Sequence, residues 1–134
     1  MSEAARIVAD ATVTMAATHY QVEIATGGHH LAADEPAHGG GGDAGPSPFG
    51  LLMASLGACT AITLRMYAER KQWKLGAIKV ALAYRWQDEV PVIERSVTLA
   101  GLDAEQRARC AEIAEKTPVT RALKRGIEIK TQVA

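Results

Sequence analysis

Two thiols and four imidazoles are the side chains here that could do chemistry beyond acid–base exchange: Cys59, Cys110, His19, His29, His30 and His38. A thiolate is a nucleophile toward peroxides, disulfides and other electrophiles. A reactive cysteine therefore needs a helix N-terminus, a cation or a hydrogen-bond donor to favour its charged form. Cys59 lies in the uncharged run Phe49 to Leu64, about three turns into the helix that run predicts, where the helix-end field has faded. On local sequence alone packing is the favoured role for it, because free cysteine is among the most buried residue types. Cys110 falls on the i, i+3, i+4, i+7 stripe Cys110, Ile113, Ala114, Thr117 of a later helix, which also fits a small buried hydrophobe.

The four histidines all precede the central helix and, with Asp34 and Glu35, are the only grouping that resembles a metal set. No helical H-x-x-x-H or C-x-x-C spacing is present, and adjacent His29 and His30 in a strand would point to opposite faces. A pocket role for one histidine is the better expectation, and no metal is expected. The glycines Gly39 to Gly42 lack the G-K-[ST] ending of a phosphate cradle and read as a permissive entry to the helix. Asp34-Glu35-Pro36 reads as a simple turn, proline forcing Glu35 into extended geometry. No cofactor is expected.

The elements that must position these groups follow from periodicity. Val13, Met15, Tyr20, Val22 and Ile24 predict two strands between Arg6 and Thr26 that turn near Ala17 to His19, and His29 to Ala33 a third. Ser47 is a natural N-cap with Pro48 at the first helical position, and the helix should run to about Lys71. Apolar on every face, it should be a buried central helix, its small residues Ala54, Ser55, Gly57, Ala58, Thr60 and Ala61 letting neighbours come close. Ile78, Val80, Leu82, Tyr84 and Trp86 then share one face of a strand, and a turn over Gln87 to Pro91 leads to a second strand, Val92 to Leu99. Asp103 caps a helix from Ala104 to about Thr117. Pro118 interrupts it, Val119 to Lys124 continue it briefly, Gly126 stops it, and Ile127 to Val133 alternate as a last strand. The order βββ, α, ββ, α, α, β predicts an α+β fold with largely antiparallel sheets, in a single domain over residues 1–134.

Composition narrows the partners. Of the 134 residues 48% are apolar and 22% charged, with net charge 0, so nothing draws the chain to nucleic acid or to an anionic lipid surface. The start MSEAARIVADATVT lacks a basic opening followed by an apolar core, and the uncharged run falls short of a bilayer span, so a cytoplasmic protein without a membrane segment is expected. In that compartment two cysteines would stay reduced.

The string Asp34-Glu35-Pro36, the glycines Gly39 to Gly42, the stretch GPSPFGLLMASLGACTAITLRMYAERKQW and the later KTPVTRAL together resemble the OsmC-like family, which includes osmotically inducible protein C and the organic hydroperoxide resistance proteins. The resemblance covers nearly the whole chain. It implies an intertwined homodimer, with antiparallel sheets around long central helices and active sites at the dimer interface. It also implies a peroxidase in which Cys59, at the attacking position, opens the peroxide O–O bond and becomes a sulfenic acid.

Three positions depart from that family's pattern. Its second cysteine precedes the proline of a C-P-V-H-R motif, which here reads Thr117-Pro118-Val119-Thr120-Arg121; Cys110 lies seven residues earlier, roughly 10 Å along a helix axis, a doubtful resolving thiol. Phe49 and Gly50 stand where a carboxylate follows the helix-opening proline, and no arginine or lysine lies between Arg6 and Arg65. The candidates left to line the pocket or polarise Cys59 are His29, His30, His38, Glu35, Phe49, Met53 and Arg121. Two functions remain open: a one-cysteine hydroperoxide reductase served by an external thiol, and a dimer binding an apolar small molecule in a pocket lined by Phe49, Met53, Met66 and the histidines.

Overall fold

A computed structural model describes residues 6–134 of the chain; the first five residues of the segment read for a signal sequence lie outside them. The chain gathers into two compact units, Met1–Leu51 and Leu52–Ala134.

In the first unit three short strands, β1 (Thr12–Met15), β2 (Val22–Thr26) and β3 (His29–Ala33), form an antiparallel sheet in the order β1-β2-β3. Thr12 faces Ala25 and Val22 faces Ala33; β1 reaches β2 through the six residues 16–21, whereas β2 reaches β3 through a two-residue turn. Gly27 and Gly28 both take positive φ in the two-residue turn between β2 and β3, a geometry that suits glycine. The loop that follows is organised by a side chain that the sequence reading passed over as part of a turn. The buried Asp34 carboxylate accepts backbone N–H groups from Glu35 (2.7 Å), Gly42 (3.1 Å) and Ala44 (3.1 Å). Gly41 is required there, because a Cβ would collide with the Glu35 carbonyl and stand 2.8 Å from Asp34 Oδ1.

Helix α1 (Pro48–Arg70) begins as expected, with the Ser47 hydroxyl accepting the Gly50 N–H at 3.0 Å. By length and composition it could cross a membrane, a test that the core helix of a soluble protein also passes. The expectation that all its faces are buried is corrected. Only the row Leu56, Thr60, Leu64, Ala68, spaced by four, is buried, while Ile62 and Met66 are each more than half exposed. One chain supplies neighbours for one stripe of a helix; an apolar pattern on the remaining faces does not say what covers them.

In the second unit β4 (Ile78–Gln87) and β5 (Val90–Leu99) form a ten-residue antiparallel hairpin. Its turn is the pair Asp88-Glu89, both at positive φ, tighter than the five-residue turn expected. Helix α2 (Ala104–Ala114) opens with a full capping box between Asp103 and Gln106. It ends three residues before Thr117, which instead caps helix α3 (Pro118–Arg125), with Pro118 at the first helical position. Leu64, Ala68, Leu75, Leu102 and Cys110 make the buried core, with Trp73, Ile78, Val97, Leu99 and Ile113 packed around it. The last strand expected over Ile127 to Val133 does not form: the segment is unpaired, and Ile127, Ile129 and Val133 are 69%, 84% and 92% exposed. Alternation marks which side chains share a face, but a strand exists only where an edge accepts it.

Candidate functional site

Cys59 sits half-buried on α1, beside the buried row rather than on it, and the partner within reach of its sulfur is the Thr63 hydroxyl at 4.0 Å, one turn on. Its neighbour Thr60 is fully buried and donates its own hydroxyl proton back to the Leu56 carbonyl at 2.7 Å. That back-bond is a common way for a mid-helix threonine to satisfy itself.

Against Thr60 lies a cation that sequence reasoning missed. Arg95 occupies the inward row of β5 between Ile93 and Val97, opposite Leu82, and its side chain is only 12% exposed. Its Nη1 donates to Thr60 Oγ1 (3.0 Å) and to Thr120 Oγ1 (2.8 Å); its Nη2 donates to the Ala114 carbonyl (3.1 Å) and to Glu115 Oε2 (3.3 Å). The signal was available in the alternation, since an arginine at a core-facing position of a strand must find partners inside. Thr117, fully buried, joins the same cluster through a 2.6 Å hydroxyl–hydroxyl bond to Thr120 and caps α3 by accepting the Thr120 N–H. The position that carries the second cysteine in the motif the sequence resembles thus belongs here to a threonine network. A hydrogen bond from Lys124, with the charges of Lys124 and Arg95 behind it, holds the Glu115 carboxyl below the usual carboxylate range against a smaller opposing effect of burial.

Cys110 is also free, but it is buried in the core against Leu64, and burial pushes its thiol up. On α1, Cys59 lies about 140° round from Leu64 and roughly 7–8 Å from it along the axis, so the two thiols occupy different sides of the helix. Met53 lines a shallow apolar hollow of about 340 Å³ with Ala54, Gly57, Ala58, Ala61, Val80 and Leu82. Arg121 is exposed and borders a separate basic hollow with Lys116, Lys124 and Arg125. In the first unit His19, His29, His30 and His38 are all exposed, Glu35 is half-buried and Phe49 is 56% exposed. Among the described residues no three histidine, cysteine, aspartate or glutamate side chains gather into a metal-holding group.

The fold and this arrangement define an α+β protein whose long helix carries one half-buried thiol, followed directly by a threonine that a largely buried arginine holds. The sequence profile of the family described as OsmC-like protein matches residues 40–132, and the chain belongs to that family. Solved structures share its fold. An OsmC-like protein from Mycoplasma pneumoniae is 14% identical at a TM-score of 0.70, with 87% of this chain and 86% of that one covered. A Legionella pneumophila protein described as organic hydroperoxide resistance protein OsmC is 19% identical at 0.62, with 90% and 91% covered. The organic hydroperoxide resistance protein OhrB of Bacillus subtilis is 20% identical at 0.57, with 88% and 91% covered. At these identities the likeness is one of fold. No curated protein matches the chain.

Proposed function

We propose that the protein is a thiol-dependent hydroperoxide reductase of one-cysteine type, with Cys59 as nucleophile. The observation that carries this is that Cys59 is half-buried on the central helix while the second-cysteine position of the family motif holds a buried threonine, Thr117. Membership of the OsmC-like family supports the peroxide-related class of chemistry. In the first step the Cys59 sulfur attacks the O–O bond of ROOH, giving Cys59–SOH and the alcohol ROH. An external thiol R′SH then condenses with the sulfenic acid, releasing water and leaving Cys59–S–SR′; a second R′SH releases R′S–SR′ and restores the thiol. No cofactor enters these steps, and a cytoplasmic location is part of the reading.

A homodimer belongs to the proposal as well. The exposed Ile62 and Met66 on α1 and the unpaired segment from Ile127 to Val133 are apolar surface that a second copy would cover. Light scattering at twice the chain mass is the expected result; a monomer at micromolar concentration would remove this part.

The chemistry is tested by mixing reduced protein with cumene hydroperoxide and reading oxidation by mass spectrometry. Cys59 is expected to gain one oxygen, Cys110→Ser to behave as wild type, and Cys59→Ser to be inert. Consumption no faster than that by free cysteine would overturn the reading. A second reading, an apolar-ligand binder, is favoured by the hollow beside Met53. It would gain if the thiol proved inert while an apolar fluorescent probe bound and Met53→Asp released it.

A further inference from the structure

Arg95 is the costliest side chain in the second unit to place where it is. An unpaired guanidinium on the inward row of a strand would lose its hydration without compensation. Here each of its four terminal N–H groups has an acceptor, on Thr60, Thr120, Ala114 and Glu115. Those four donors are committed within the protein and are not free to receive a substrate anion. Whatever it does, it does through its partners.

The partners converge on the turn of α1 that carries Cys59. The Thr60 hydroxyl gives its proton to Leu56 and offers its oxygen to Arg95, so two bonds of 2.7 and 3.0 Å fix both sides of one oxygen. Thr60 follows Cys59 directly, and the Leu56 carbonyl lies one turn before it. The same Nη1 holds Thr120 near the start of α3, and Nη2 holds the Ala114 carbonyl at the end of α2. One guanidinium therefore ties the Cys59 turn to β5 and to the α2–α3 junction, across sequence separations of 35, 25 and 19 residues.

We infer that Arg95 is a positioning residue for Cys59: by clamping the Thr60 hydroxyl it fixes the rotation of the α1 turn that presents the sulfur to a hydroperoxide. This rests on Cys59 being the nucleophile. In-line attack on an O–O bond is sensitive to orientation, and a displacement of about 1 Å from productive geometry costs up to a hundredfold in rate. Thr60→Val keeps the shape of the buried side chain and removes the acceptor, whereas Thr60→Ser keeps the acceptor and removes a methyl group.

The test compares wild type, Thr60→Val, Thr60→Ser, Arg95→Lys and Arg95→Met for two rates at Cys59, oxidation by cumene hydroperoxide in a single turnover and alkylation by iodoacetamide. Circular dichroism and thermal unfolding establish which variants are folded. The expected result is a tenfold or larger fall in the oxidation rate for Thr60→Val, recovery to within about threefold of wild type in Thr60→Ser, and alkylation changed by less than about threefold in both. Arg95→Met should match Thr60→Val, with Arg95→Lys between it and wild type. A purely structural role predicts instead that Thr60→Ser, which opens a cavity, is no better than Thr60→Val. Wild-type oxidation rates in folded Thr60→Val and Arg95→Met would overturn the assignment and leave the proposed chemistry standing. Failure of wild-type Cys59 to oxidise would remove the proposed chemistry and this role together.

Discussion

Thr117→Val isolates what the hydroxyl at the expected second-cysteine position contributes. Thr117 is fully buried, its oxygen accepts the Thr120 N–H at the start of α3, and it shares a 2.6 Å bond with the Thr120 hydroxyl. Valine fills the same volume, so no cavity opens and two losses remain. Removing a threonine N-cap costs about 1 kcal/mol. Removing one partner of a buried hydroxyl pair costs about 1 kcal/mol more. The sum is about 2 kcal/mol, which for a chain of this length lowers Tm by roughly 7 °C. Thr117→Ser keeps both bonds and loses one buried methyl, about 1 kcal/mol. Thermal and urea unfolding should be run at one fixed protein concentration, because any self-association adds concentration-dependent stability. The expected order is wild type, then serine, then valine. Valine as stable as wild type, or more stable than serine, would refute the claim that the hydroxyl is what Thr117 is there for.

The remaining predictions concern the glycine-rich loop and the core thiol. Burial acts to raise the Asp34 carboxyl, but hydrogen bonds from the Ala44, Glu35 and Gly42 N–H groups, with the charge of His19, bring it below the ordinary aspartate value. A carboxyl depressed in the folded state stabilises the fold above its unfolded pKa, and that contribution is lost as pH falls through the folded value. The difference in urea midpoint between wild type and Asp34→Asn should therefore shrink as pH is lowered from 7 toward 3; a pH-independent difference would contradict the assignment. Gly41→Ala should cost about 1–3 kcal/mol in the same unfolding assay, because its Cβ meets the Glu35 carbonyl and Asp34 Oδ1, while an unchanged midpoint would mean the loop yields freely. Cys110, 1% exposed with its thiol pushed up by burial, should resist iodoacetamide until the protein unfolds; labelling in the native state at the rate of free cysteine would show that the core around Leu64 opens.

Much of this protein is written locally. The Ser47 cap with Pro48, the Asp103 cap with Gln106, the alternation through β4 and β5 and the stop at Gly126 each depend on residues within one or two turns of one another, which is why periodicity and cap chemistry placed α1, the hairpin and both later helices. The resemblance carried by the stretch around Cys59 likewise lay in the sequence, and the match over residues 40–132 agrees with it. Tertiary structure decided the rest. Asp34 became the hub of a loop by accepting backbone N–H groups eight and ten residues away, where the sequence showed only a turn. Thr117 became a cap and network member instead of the last residue of α2, because Pro118 starts a new helix rather than bending the old one. The Ile127 to Val133 pattern carried alternation without an edge to join. Arg95 reaches Thr60 over 35 residues. Periodicity records which side chains share a face, but the partner waiting across that face comes from another element, so only the folded chain could put a guanidinium beside the turn that bears Cys59.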